Sequence, residues 1–276
     1  MGEEGGQITS GLNAACQPVV LGIDAAWTTH RPSGVALLAN EENGWRCTAM
    51  HPSYQSFLGN IPQNHDALWS QLIVRATSLA GSRPCVITAD IPLALAPIVA
   101  RRSADNRISA RFGGQGCSAH SPTAIRPGVL SSKMVESFLA EGYRLAVSES
   151  EPGSPDQLLE VYPHPALLSL LGCAYRVPYK VSRSKQYWKE ASAEERIVKL
   201  LDQFATILGA LQSQIEGIPL KLPLPAQVRT LAELKPFEDM LDALVCAWIG
   251  IKYLDHEVEC LGDETSAIWI PRSIGN

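Results

Sequence analysis

Apolar positions along the chain fall into runs that each end on one lone charge. Pro18-Val19-Val20-Leu21-Gly22-Ile23 is unbroken and rich in β-branched residues, which suits a strand covered on both faces, and Asp24 at its end is the only charge. Ser33 to Asn40 and Trp45 to His51 read as two further strands joined by the turn Glu41-Glu42-Asn43-Gly44, since Asn-Gly is a strong hairpin signal. An antiparallel meander is the expected opening. Ala67, Leu68, Leu72, Ile73, Ala76 and Leu79 recur at helical spacing, with Gly81 as the stop. Cys85-Val86-Ile87-Thr88-Ala89-Asp90-Ile91-Pro92 repeats the opening theme: a short apolar strand, one carboxylate, then a proline that ends pairing.

Further along, Lys133 to Glu141 has the pattern of a short helix and Tyr143 to Val147 that of a strand. Leu158-Leu159-Glu160-Val161 is another strand with a single acid, stopped by Pro163 and Pro165, and Ala166 to Leu171 begins a helix. Ala193 to Gln214 is amphipathic, with Glu194 and Glu195 in its first turn, as the helix dipole favours. Gly217 to Pro225 is a proline-rich connector. The last long helix, about Leu234 to His256, is apolar nearly all round from Met240 to Ile251 except at Asp242, which predicts that the helix and its acid are buried. Asp239 lies one turn earlier on the same side. Ser266 to Pro271 reads as a final short strand.

Composition narrows the class. With 276 residues, 46% hydrophobic and 18% charged, the chain builds its core without disulfides, and one domain over residues 18–276 is expected after a disordered tail at 1–17. The seven cysteines form no C-x-x-C pair, which argues against a zinc ribbon or thioredoxin motif and fits a reducing, cytoplasmic setting. No apolar run reaches membrane-spanning length, so no membrane partner is expected, and the Gly-rich, acidic start is unlike a signal peptide. A net charge of -5 argues against bulk attraction to nucleic acid, so a polyanion would have to meet a local basic patch. Two such patches exist. Arg101, Arg102, Arg107, Arg111 and Arg126 stand against Asp105 alone, in a stretch that reads as a basic loop insertion around residues 101–130, and Lys180, Arg183, Lys185 and Lys189 form the second.

The candidate chemistry lies in the solitary acids Asp24, Asp90, Glu160 and Asp242, with Asp239 nearby. Were they to converge, bare carboxylates about 4 Å apart would repel by roughly 4 kcal/mol per pair at an effective dielectric near 20. Cations would have to relieve that. Oxygen-only ligands select Mg²⁺ or Mn²⁺ over Zn²⁺, and two such ions clamp the attacking and leaving oxygens of a phosphoryl displacement. Arg101, Arg102 and Arg111 carry guanidinium forks suited to phosphate, and Lys180 and Lys185 add charge. Plainer readings stand beside these: strand-end acids that accept backbone hydrogen bonds, a solvated basic loop, and a structural His164. Gly113-Gly114-Gln115-Gly116 lacks the Lys-Ser/Thr ending of a P-loop and reads as a hinge.

Several motifs in order resemble one known family. Gly22-Ile23-Asp24 with Pro32-Ser33-Gly34-Val35-Ala36, Asp90-Ile91-Pro92-Leu93, Arg102 with Asp105 and Arg111, Glu160-Val161-Tyr162-Pro163-His164, Tyr179-Lys180 and Asp239-Met240-Leu241-Asp242-Ala243-Leu244 are similar to the predicted RNase H-like nucleases catalogued as domain of unknown function 429. The closing Asp-x-x-Asp-Ala-Leu helix also resembles that of Holliday-junction resolvases of the RuvC type. The resemblance implies an α/β fold with an RNase H-like mixed sheet, an antiparallel meander followed by parallel strands, flanked by helices. It implies Asp24 beside Asp90 on adjacent strands, with Asp242 reaching over from the last helix as third metal ligand. Asp239 would be an alternative ligand, and Glu160 would support a metal or orient substrate. RNase H enzymes proper carry a Glu on the first helix, where this chain offers only Asp66. The expected function is a divalent-metal-dependent phosphodiester hydrolase acting on nucleic acid or a smaller phosphate ester. The alternative is a non-catalytic binding or scaffold protein that keeps the fold.

Overall fold

The computed structural model describes residues 17–28, 31–62 and 67–272. The expected tail lies outside them except for Gln17, and so does Asp66.

The first two strands of the meander are buried along most of their length because the sheet is covered on both faces. β1 (Val19–Asp24) pairs antiparallel with β2 (Gly34–Glu41), and β2 with β3 (Gly44–His51). On its other side β1 runs parallel to β4 (Val86–Ala89), β4 to β6 (Gln157–Val161) and β6 to β8 (Ala267–Pro271). β7 (Val258–Gly262) closes the edge antiparallel to β8, and the two-residue β5 (Arg144–Leu145) also pairs with β6. The sheet is therefore mixed, antiparallel then parallel, as expected. β7 is the strand that the apolar pattern did not announce. It is a partly exposed edge with Glu259 inside it.

Among the described residues eight α-helices flank the sheet. α1 (Tyr54–Leu58), α2 (Leu68–Ala80) and α4 (Val129–Ala140) cover the face that carries Leu21, Ile23, Ile87 and Leu158. α5 (Pro163–Leu171), α7 (Ala193–Gln212) and α8 (Lys235–Leu254) cover the opposite face, with Val20, Val86, Leu159 and Val161. α6 (Ser184–Tyr187) is a single turn. Among the described residues no helix is long and apolar enough to cross a membrane.

The stretch 101–130 departs from the loop expected there, because Ser103–Phe112 forms helix α3. Ala104, Ile108 and Phe112 recur four apart and bury against β7 and β8, while the Asp105 carboxylate accepts from the Arg102 N–H at 2.8 Å and caps the first turn. A high local charge had masked that apolar stripe.

α8 lies unusually close to the sheet, and two glycines allow it. A methyl group at Gly22 would fall 2.4 Å from the Ala243 carbonyl oxygen, and one at Gly34 would fall 2.1 Å from that of Asp239. Only bare backbone fits beneath the helix. This approach sets Asp239 and Asp242 over the ends of β1 and β2.

Candidate functional site

Strand register decides which acids share a face. Ile23 is aligned with Ala89, and the Asp90 N–H donates to the Ile23 carbonyl at 3.0 Å, so Asp24 and Asp90 follow side by side on the face beneath α8. Glu160 is aligned with Ala89 instead, one position short, so its side chain leaves from the opposite face. All three reach the rim of one cavity of about 660 Å³.

The acids are held very differently. Asp242 is wholly buried. The Tyr179 hydroxyl donates to its Oδ1 at 2.5 Å, and the Lys180 ammonium donates to its Oδ2. Lys235 Nζ donates to Glu238 at 2.8 Å and to Asp239 Oδ1 at 2.5 Å, leaving the buried Asp239 Oδ2 without a partner among the described residues. Glu238 also accepts from the Val181 N–H at 2.6 Å. Glu160 lies in the fork of Arg102, at 2.5 and 2.7 Å, and accepts from the Leu93 N–H at 2.7 Å. Arg102 in turn binds Asp105 at 2.7 Å and the Leu93 carbonyl at 2.7 Å. The pair therefore pins the segment just after Asp90. Asp24 and Asp90 make no ion pair with any described residue.

Electrostatics follow this division. Burial, then the charge of Asp242, pushes Asp24 well above the ordinary carboxylate range; Asp90 and Asp239 add to the rise and Lys180 opposes it. Burial lifts Asp90 to about 7 against the pull of Lys180, with Asp242 and Glu160 adding to the rise. Asp239 rises to about 6 and Glu160 to about 7, each from burial, opposed by Lys235 and Arg102 respectively. In Glu238 burial is outweighed by Lys180 and Lys235, so it sits below its ordinary value. Burial and the neighbouring cations Lys180 and Arg176 keep His164 neutral.

A divalent cation can be tested against these side chains. Asp24 and Asp90 fit one, since they are adjacent, partly open to the cavity and without an ion pair among the described residues. Asp239, whose Oδ2 has no partner among the described residues, lines the same cavity and would have to shift to share an ion with them. Asp242 fits only after Lys180 lets go, because the ammonium already fills the counter-ion position. Accordingly, no three acidic, histidine or cysteine side chains stand in ready metal-binding geometry among the described residues.

The expected cations divide in the same way. Lys180 reaches the acids rather than the cavity mouth, and Arg102 is a buried clamp on Glu160. Arg101 binds Asn106 at 2.7 Å, the Asp105 carbonyl at 2.7 Å and Ser121 at 2.8 Å, fastening α3 to the loop that follows. Arg111 lies 3.8 Å from Glu259 at the far edge of the sheet, and Lys185 is exposed on α6. The cavity instead gathers Arg31, Arg126, Arg176 and Arg183 with His120 and Trp27. Of these, Arg31, Arg176 and Trp27 carried no sequence signal as cavity groups. Lys235 with Glu238 was also missed, although the spacing Lys235-x-x-Glu238-Asp239 at the start of a buried helix was there to be read.

Residues 22–267 match the family described as "Protein of unknown function (DUF429)". The chain belongs to the DUF429 family. The matched span opens two residues before Asp24 and closes inside β8, so every acid of this DUF429 site falls within it. No curated protein and no solved structure matched the chain.

Proposed function

We propose that this DUF429 protein is a divalent-cation-dependent phosphodiester hydrolase of the RNase H-like kind, acting on nucleic acid or a smaller phosphate ester. The observation that carries the reading is the side-by-side placement of Asp24 and Asp90 beneath the buried Asp242, without an ion pair among the described residues and pushed up by burial and by the charge of Asp242. Asp24 and Asp90 would hold Mg²⁺ or Mn²⁺, with Asp239 joining them after a shift of its side chain and Asp242 as Lys180 turns away. An ion held there would supply positive charge to the pentacoordinate phosphoryl group of a displacement. Lys180, once released, donates to a phosphate oxygen from the same place. Glu160 and Arg102 act as positioning residues, because they fix both backbone groups of Leu93 and so the chain that carries Asp90.

Titrating Mg²⁺ or Mn²⁺ calorimetrically into the protein, Asp24→Asn and Asp90→Asn tests this reading. Binding is expected in the parent chain only, and matching isotherms in all three would remove the metal site.

One observation favours a second reading. Because Tyr179 and Lys180 already satisfy both oxygens of Asp242, the same contacts suit a non-catalytic binding protein in which the ammonium is the permanent counter-ion. Absence of divalent binding in the parent chain would favour it.

A further inference from the structure

The cavity has two chemically opposite sides. On one side every cation is paired: Lys180 with Asp242, Lys235 with Asp239, Arg102 with Glu160. On the other, Arg126, Arg176 and Arg183 line the cavity together with His120; Arg176 bonds the His164 ring and donates to the Gly116 carbonyl at 3.2 Å, and none of the three makes an ion pair with a described carboxylate. Like charges lining one wall, without ion pairs among the described residues, form a receptor for a polyanion, and guanidinium forks match phosphate. Trp27 belongs to the same side. It follows Asp24 by three residues, is half-buried, and its ring meets His120 edge-on at 6.4 Å with the Arg126 guanidinium 5.7 Å over its face. A planar base would stack on the indole face in the place of the Arg126 guanidinium, which would then turn toward phosphate.

Resting on the phosphodiesterase reading, we infer that the cavity takes the phosphorylated end of a single strand. The internal phosphodiester lies at Asp24 and Asp90, the adjoining base lies on Trp27, and the terminal phosphate lies among Arg126, Arg176 and Arg183. The cavity volume of about 660 Å³ falls in the range of roughly 300–1,000 Å³ that encloses a small ligand. That space is of the size of a dinucleotide.

The experiment is calorimetric titration of the full chain in chelator, where no turnover occurs, with a thymidine dinucleotide phosphorylated at one end or the other, the same dinucleotide without a terminal phosphate, and a short blunt duplex. One phosphorylated isomer is expected to bind at least about tenfold tighter than the unphosphorylated form and than the duplex. Arg183→Gln and Arg126→Gln should erase that preference. Trp27→Ala should weaken both single-stranded ligands about tenfold, and Trp27→Phe should restore them. Equal affinity with and without the terminal phosphate, an equal grip on duplex, a preference that survives Arg183→Gln, or no binding of either isomer would each overturn the inference. These readouts involve no metal. Failure here therefore leaves the divalent titration to judge the hydrolase reading, and failure there leaves this binding face standing.

Discussion

Lys180 donates to a carboxylate oxygen of Asp242 to which solvent has no access, in the place a divalent ion bound by that acid would occupy. A buried charge left without its partner is expensive, commonly by about 3–5 kcal/mol. Lys180→Met should therefore destabilise the metal-free protein by about that much in urea unfolding. Under the hydrolase reading, Mg²⁺ should recover much of the loss, because the vacated position then belongs to the ion. A loss that Mg²⁺ leaves untouched would speak for the ammonium as a permanent structural cation.

Asp90 should make stability depend on pH with a definite sign. Its folded value, about 7, lies above the ordinary 3.8, so the native state holds its proton more tightly than the unfolded chain does. That contribution is fully present below about pH 4 and is lost as pH rises through about 7. Asparagine mimics the protonated acid. The stability of Asp90→Asn relative to the parent should accordingly be flat below about pH 4 and grow toward pH 8, measured by urea midpoints without divalent ions. The comparison cancels the opposite slope that the depressed His164 gives to both proteins. A constant difference across that range would show that Asp90 ionises freely.

Gly34→Ala should be disproportionately harmful for a single methyl group. The added carbon would lie 2.1 Å from the Asp239 carbonyl oxygen, so α8 must lift from β2. Overpacking of this kind costs about 1–3 kcal/mol. Because Asp239 moves with the helix, divalent affinity should fall as well, beyond what the same loss of stability causes when it is introduced in the distant core by Leu211→Ala. Equal affinities in the two variants would detach Asp239 from the ion.

Arg102→Lys should behave as a severe substitution. Lysine keeps the charge but lacks the fork that binds both Glu160 oxygens, Asp105 and the Leu93 carbonyl together. A loss of roughly 3–5 kcal/mol is expected in denaturant unfolding, as for other broken buried pairs. Pairing Arg102→Met with Glu160→Gln should recover part of it, since neither charge is then stranded. A near-neutral Arg102→Lys would remove the clamp from the account.

Part of the site was legible because its signals are local. A lone aspartate closing an apolar run is visible at Asp24 and again at Asp90, and a helix that is apolar all round except at Asp242 declares that acid buried. Glu160 looked like a third member of that set. Its one-position offset in register sends it through the other face of the sheet, and no property of Leu158 to Val161 considered alone reveals an offset against β4.

The sequence by itself determined the meander, the buried last helix and the solitary acids at the strand ends, because burial periodicity and turn chemistry act between near neighbours. Tertiary structure alone decided which cation meets which acid. Arg101, Arg102 and Arg111 are spent on α3, Glu160 and the sheet edge, whereas Arg126, Arg176 and Arg183 come from separate segments to line one cavity with His120. A charged side chain binds whatever partner the packed chain brings within a few ångströms. That partner can lie anywhere along the sequence, as Lys180 and Asp242 do, 62 residues apart on opposite sides of α7 in the chain.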